Sequence, residues 1–387
     1  MNIRIIILLS LIVIIGCQNV NRTINNNLKT FALKDFTKTT EVKLSDLGFV
    51  DIKYIPLETN EYSLVPRILD IKIDSSFYLI QFFNTILKFQ NNGSFVTKIG
   101  TEGRGPGEYL VVHDVDIDQQ DHFIYLVDGW ARRFYVYSES GEFLRTFKSP
   151  LNAINFKITK DGILCFSTNY IANVDTSYVL IKTNGQIVKS FSNKYPWNYI
   201  VQRGTTVFTE NIFYRFNNQL FKKEVYSDTV YLFEDKGFKP HFTIEHGERL
   251  LTPYARSNYD WEYLIDNFIS QKKIFEFGDY IYYEFGIERT TYIFLGSKED
   301  DFNAFIRYDQ GLINDLDGGP SIRFKTIKDD NTVITWIDAL RLKNYIVSEE
   351  FIKSKPKFPE KKKELEDLAN SLKETDNPVL ILVSLKK

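Results

Sequence analysis

A chain of 387 residues with 43% hydrophobic and 25% charged side chains has ordinary globular composition, and it is long enough for one large domain or two modest ones. Its 32 Phe and 23 Tyr, beside abundant Ile and Val, favour strands over helices and point to an all-β class. The formal net charge of −2, with both signs interspersed, leaves no basic stripe to neutralise a phosphate backbone, which excludes nucleic acid as the expected partner.

The first seventeen residues, MNIRIIILLSLIVIIGC, carry one positive charge at Arg4, an apolar run from Ile5 to Ile15 and a small residue before Cys17. This is the layout of an export signal, and the run is shorter than the roughly 20 apolar residues needed to span a bilayer. Its ending, Ile14-Ile15-Gly16-Cys17, resembles the lipobox of bacterial lipoproteins, which implies a signal peptide over 1–16 and lipidation of Cys17. Residues 17–47 then read as a flexible tether between a membrane and a folded body over 48–387. After Cys17 come Gln18, Asn19, Val20 and Asn21, without an acidic run, so the periplasmic face of the outer membrane is favoured over the cell surface. Cys165 lies in the apolar stretch GILCFST without a disulfide partner and reads as a buried, inert thiol.

In the body, four segments align around a hairpin glycine: 86–100, 134–148, 178–192 and 230–244. Gly93, Gly141, Gly185 and Gly237 lie 48, 44 and 52 residues apart, close to the period of about 40 to 50 for four-stranded propeller blades. Each hairpin follows two further strand-like runs, such as VVHDVDIDQ and HFIYLVD. A fifth unit follows at IFEFGDYIYYEFG, TTYIFLG and NAFIRYD, and a sixth begins at SIRFKTIKDD and NTVITWID. Helical insertions are predicted at about 252–270, where Trp261, Leu264, Ile265 and Phe268 share a face, and at about 338–373, where Leu365, Leu368, Ala369 and Leu372 do. The chain ends in the strand NPVLILVSLKK, and the run FVDIKYIPLE at 49–58 can supply the missing outer strand of the sixth blade. The prediction is a six-bladed β-propeller of four-stranded blades, closed by its N- and C-terminal strands, since closure removes exposed sheet edges.

In blade two, Asp128, Arg133, Tyr137 and Gly141 are similar to the repeat of NHL-type propellers. The mature chain resembles the six-bladed β-propeller lipoproteins of Gram-negative gut-type bacteria through GRGPGEY at 103–109, YIPLET at 54–59, the 228–247 stretch, NDLDGG at 314–319 and the terminal strand. The resemblance implies the fold and no particular reaction.

The stretch IGTEGRGPGEY at 99–109 is rich in glycine, but no Lys follows as a phosphate loop requires, and the next residues alternate as a strand. Its glycines turn the chain from blade one to blade two, with Arg104, Glu108 and Tyr109 as contact candidates. Trp130 and Arg132, in a loop of blade two, suit stacking on a sugar ring or a peptide. Asn314, Asp315 and Asp317 offer oxygen ligands that calcium could use, although Asn-Asp-Gly turn formation explains the same letters and the EF-hand pattern is missing. No cofactor is expected. His241 and His246 are five apart, which does not fit HExxH, and no GxSxG or SxxK nucleophile is present. The leading expectation is a lipid-anchored, non-enzymatic propeller that binds a glycan, peptide or envelope protein. The alternative is a lyase- or lactonase-type enzyme with a divalent metal in the channel, for which Asp114, Asp116 and Asp118 are inner-strand candidates.

Overall fold

The computed structural model describes residues 28–386 apart from 170, 171, 173 and 199–208. The export leader and Cys17 lie outside the described residues.

Three hairpins set the repeat. Gln90 N–H donates to the Ser94 carbonyl (2.8 Å) and Gly93 N–H to the Gln90 carbonyl (2.9 Å), and the pattern returns at 138–142 and 182–186. Gly93, Gly141 and Gly185 close these turns at φ of 90°, 87° and 88°, where a side chain costs about 1–2 kcal/mol. The same glycines admit the neighbouring blade. A Cβ on Gly93 would lie 2.1 Å from the Pro56 carbonyl oxygen, one on Gly141 2.9 Å from that of Lys98 and one on Gly185 2.6 Å from that of Lys148. We therefore expect Gly93→Ala to lower stability by about 2–4 kcal/mol, the sum of backbone strain and overpacking, as read by urea denaturation. The fourth hairpin is built differently from the expectation. Asp235 and Lys236 carry the positive φ, at 51° and 54°, and Gly237 opens the next strand.

The first two strands are β1 (Thr30–Ala32) and β2 (Phe49–Pro56). Blade one follows as β3 (Asp70–Ile73), β4 (Phe77–Phe82), β5 (Thr85–Gln90) and β6 (Phe95–Lys98). Blade two is β7 (Asp114–Ile117), β8 (Ile124–Asp128), β9 (Arg133–Tyr137) and β10 (Phe143–Lys148), and blade three is β11 (Ala153–Thr159), β12 (Gly162–Ser167), β13 (Thr176–Ile181) and β14 (Ile187–Ser192). Blade four is β15 (Asn211–Phe216), β16 (Gln219–Glu224), β17 (Thr229–Glu234) and β18 (Gly237–Glu245); blade five is β19 (Ser270–Phe277), β20 (Tyr280–Ile287), β21 (Thr290–Ser297) and β22 (Asn303–Arg307). Blade six takes β23 (Thr326–Asp329), β24 (Thr332–Ile337) and β25 (Val379–Leu385), and its outer strand is β2. The ring is thus a six-bladed propeller closed by its two ends. β2 pairs antiparallel with β25 from Phe49↔Leu385 to Pro56↔Val379.

Neighbouring inner strands run in one direction, as a ring requires. Asp114 and Asp116 of β7 accept from the backbone N–H of Phe156 (3.0 Å) and Ile158 (2.8 Å), two residues advancing with two on β11. Blade interfaces are apolar and aromatic: Phe134 packs edge-on against Phe156 across blades two and three, and Phe49 stacks on Phe277 across blades six and five. Cys165 is buried in this core, and burial pushes its thiol pKa far up, which leaves it inert.

The tether expected over 17–47 meets the ring early. β1 adds to the edge of blade four, parallel to β18, and Phe31, Leu33, Phe36 and Val42 are buried. Apolar residues spaced along this stretch, rather than its polar start, decide the outcome.

Because each blade is an antiparallel meander, the connections between blades leave from the same end as the turns between second and third strands. Both helical insertions sit at this end, termed the loop face. Helices α1 (Pro253–Asn258) and α2 (Trp261–Asn267) join blades four and five. Their starts are capped by Thr252 and Asp260, whose side chains accept from Ala255 N–H and Tyr263 N–H. Helices α3 (Ala339–Ile346), α4 (Glu349–Lys353) and α5 (Pro359–Ser371) lie between β24 and β25. No helix among the described residues is long and apolar enough to cross a membrane.

Candidate functional site on the loop face and the axis

The glycine-rich connection between β6 and β7 is braced from within. Tyr109 is fully buried and its hydroxyl donates to the Asn84 carbonyl at 2.9 Å, while Tyr137 donates to the Gly107 carbonyl at 2.8 Å. Glu108 accepts from Gly105 N–H at 2.6 Å, which fixes its carboxylate inside the loop. Of the three contact candidates here, Arg104 is the exposed one.

Asp128 organises the adjoining turn. Its buried carboxylate accepts from Leu110 N–H and Val111 N–H, both at 3.2 Å, and from Ala131 N–H at 2.9 Å. Asn84 donates to the Leu110 carbonyl and accepts from Val112 N–H, each at 3.2 Å. These bonds draw together the turn of blade one, the glycine loop and the turn of blade two. They leave Phe83 (69%), Leu110 (46%) and Trp130 (72%) exposed beside one another. Trp130 rests edge-on against His113 with centroids 5.2 Å apart, and His113 Nδ1 accepts from Gly129 N–H at 3.1 Å. Burial lowers the His113 pKa against the pull of Asp128, which suits the acceptor role. Arg132 donates to the Pro150 carbonyl and so ties its turn to the connection between blades two and three.

Sequence reading missed Phe83 and Leu110. The signal for Phe83 was its place: it falls in the two-residue turn after β4, at φ of 47°, beyond the strand whose two faces are both packed.

NDLDGG divides its carboxylates. Asp315 accepts from Ser45 N–H (3.1 Å) and from the Ser45 hydroxyl, tying down the short helix before β2. Asp317 points inward, is fully buried and accepts from the Asn314 amide (2.6 Å) and Gly319 N–H (2.9 Å). Tyr345 of α3 donates to the Gly319 carbonyl at 3.1 Å. Asp317 Oδ2 and Asn314 Oδ1 meet no donor. Among the described residues, no group of three or more His, Cys, Asp or Glu is placed to hold a metal ion.

Burial raises the Asp317 pKa, and the bonds from Gly319, Tyr54 and Asn314 only partly offset it. The stability linked to this group is therefore present below the ordinary carboxyl pKa of about 4 and is lost as pH rises through the raised folded value. We expect Asp317→Asn to be more stable than the native protein at pH 7, by about 1–2 kcal/mol, with the gain vanishing near pH 4. Denaturation at the two pH values checks this.

On the axis, Asp114 accepts from Asn155 (2.8 Å) and pairs with Lys72 (3.0 Å) and Lys157 (3.3 Å). Asp116 pairs with Arg215 at 3.2 Å. Asp118 is turned away and shapes the β7–β8 turn by accepting from Gln120 N–H at 3.0 Å. Burial pushes Asp114 upward, but Lys157, Lys72 and the Phe156 N–H outweigh it and hold the carboxyl below its usual range. Burial lowers the Lys157 pKa more than Asp114 raises it, whereas Asp114 and Asp70 together overcome burial at Lys72 and raise it. The channel wall of blades one to four is thus a chain of ion pairs that joins successive inner strands, with both oxygens of Asp114 and Oδ2 of Asp116 engaged.

The family model described as a domain of unknown function, DUF4934, matches residues 28–384. The chain belongs to this family. A protein of Bacteroides fragilis NCTC 9343, assigned as exported, is similar in structure to this DUF4934 member, with a TM-score of 0.73 at 20% identity over 92% of this chain and 99% of that one. A member of the DUF4221 family from Bacteroides vulgatus gives a TM-score of 0.48 at 11% identity over 87% and 97%. Virginiamycin B lyase from Staphylococcus aureus gives 0.40 at 12% over 66% and 74%. The first of these likenesses shows the shared propeller fold, and the other two are too distant to carry an argument. No curated protein matches the chain.

Proposed function

We propose that this DUF4934 propeller is an exported protein, held to the outer membrane through a lipidated Cys17 and facing the periplasm. Its loop face binds a glycan, a peptide or an envelope protein and catalyses no reaction. The observation that carries the reading is the exposed cluster of Phe83, Leu110 and Trp130, held in place by buried Asp128 and half-buried Asn84. Exposed apolar side chains gathered on rigid loops mark interaction sites, and aromatic residues dominate their binding energy. In the connection from blade six to blade one, Tyr62, Leu64 and Leu69 are also exposed. The axial ion pairs favour binding over channel chemistry, because both oxygens of Asp114 and Oδ2 of Asp116 are already used on Lys72, Lys157, Arg215 and backbone N–H groups. Export is supported by the N-terminal leader and by the assignment of the Bacteroides fragilis neighbour.

The test is binding to a glycan array and to purified envelope, native protein against Phe83→Ala/Trp130→Ala. Saturable binding that weakens at least tenfold in the variant is expected, since losing aromatic anchors costs 2 kcal/mol or more. Equal binding by the two proteins would overturn the reading.

A further inference from the structure

We infer that the exposed patch on the loop face of blades one and two binds an acidic, apolar segment of a partner protein. The inference rests on the loop-face reading above and narrows it to one ligand chemistry, a peptide stretch in which carboxylates lie among large apolar side chains. The patch is wider than Phe83, Leu110 and Trp130. Leu69, 46% exposed, ends the connection into β3, and its N–H donates at 2.9 Å to the carbonyl of Gln81, two residues before Phe83. Gly103 N–H donates to the Tyr109 carbonyl at 3.0 Å and Tyr109 N–H to the Thr101 carbonyl at 3.2 Å, so the glycine loop folds back and brings Arg104 beside the Tyr109-Leu110 segment. Arg132 N–H donates to the Gly129 carbonyl at 3.3 Å and closes the turn that carries Trp130.

Charge sets the partner. Arg67, Arg104 and Arg132 are exposed on these segments, and none of them forms an ion pair among the described residues. Exposed arginines elsewhere do: Arg289 pairs with Asp266 at 3.1 Å and Arg307 with Asp309 at 2.9 Å. The carboxylates of the patch segments are spent. Asp70 pairs with Lys72 at 2.8 Å, Glu108 accepts from Gly105 N–H at 2.6 Å, and Asp128 accepts from the N–H groups of Leu110, Val111 and Ala131. On these segments only Glu102 remains, so three guanidinium groups face one free carboxylate. Arg132 uses one N–H on the Pro150 carbonyl and keeps its other donors for a ligand.

Guanidinium forks hold carboxylates through paired N–H bonds, and a rim of unpaired cations repels a basic partner. The apolar part of the patch specifies the rest. Two leucines and a phenylalanine beside the tryptophan offer aliphatic and aromatic surface to apolar side chains, whereas a saccharide stacks on the flat faces of aromatic rings. Tryptophan and arginine are also the residues that most often carry the binding energy of protein interfaces. Asp128 and Asn84 fix the segments that present them, which keeps the ordering cost of binding small.

The experiment is fluorescence polarisation with the whole protein and three labelled probes: a short peptide of glutamate, leucine and phenylalanine, its counterpart with lysine in place of glutamate, and polygalacturonate as an acidic saccharide. The native protein should bind the glutamate peptide saturably, less tightly as salt is raised, and the lysine peptide at least tenfold more weakly. Arg67→Glu/Arg104→Glu changes only exposed side chains, so it should melt like the native protein and bind the glutamate peptide at least tenfold more weakly. Phe83→Ala/Trp130→Ala should weaken that binding likewise. Absence of binding to the glutamate peptide overturns the inference, as do equal binding of the two peptides and unchanged affinity in Arg67→Glu/Arg104→Glu. Binding of polygalacturonate alone overturns it in favour of an acidic saccharide. Envelope binding that is lost in Phe83→Ala/Trp130→Ala and kept in Arg67→Glu/Arg104→Glu would leave the loop-face reading intact while removing this one.

Discussion

Replacing Ile381 with aspartate is expected to abolish folding at ambient temperature. Ile381 lies in the middle of β25, buried, with Tyr54 of β2 on one side and Thr335 of β24 on the other. A carboxylate there would be taken out of water into the apolar core cluster to which Ile381 belongs, a penalty of more than about 4 kcal/mol. That approaches the whole stability of an average domain, about 5–15 kcal/mol. Because β25 joins the last sheet to the first strand of the ring, the loss is expected to spread to blades six and one together. Ile381→Val, which removes one methylene, is expected to cost about 1 kcal/mol. Circular dichroism with urea denaturation compares the two, and a cooperative aspartate variant melting within a few degrees of the native protein would show that β25 is dispensable.

The second large effect is on the axis. Asp114→Asn keeps the shape of the side chain but leaves Lys157 buried without its carboxylate, and breaking a buried pair in this way costs about 3–5 kcal/mol. The pH dependence separates this from a packing defect. Asp114 is held below the usual carboxyl range, so its contribution is present above about pH 4 and is lost as pH falls through the lowered folded value. The native protein and the variant should therefore differ most at neutral pH and converge in acid. A difference as large at pH 2 as at pH 7 would contradict the assignment.

Much of the fold was legible because propeller blades write their period into hairpins. Gly93, Gly141 and Gly185 mark turns that need positive φ, and the same positions admit the preceding blade, so their spacing reports both local and long-range geometry. The closing strand at 49–58 was legible for a related reason: the sixth unit lacked a strand, and an unpaired edge is costly. Gly237 shows the limit of the glycine rule, since Asp235 and Lys236 can form a two-residue turn without it. The packing of residues 30–42 was hidden by a polar prelude and by pairing with β18 some 200 positions away.

The site was less legible than the fold. Trp130 and Arg104 emerged on the surface, but Tyr109, Glu108, Asp315 and Asp317 face inward or bind neighbouring backbone. Residue type and loop membership do not say which way a side chain turns. Phe83 and Leu110 reach the patch only through the bonds of Asn84 and Asp128, which join segments far apart in sequence.

The loop face exists as one surface only if the two chain ends meet in one sheet. Asp51 and Ser384 are paired across β2 and β25, which sets their backbones within disulfide reach, about 4.5–5.5 Å between Cα atoms. In a Cys17→Ser background, Asp51→Cys/Ser384→Cys should form an intramolecular disulfide under mild oxidation and should melt at a higher temperature oxidised than reduced. A pair that stays reduced, or that links only between molecules, would contradict the closed ring and remove the shared face with it.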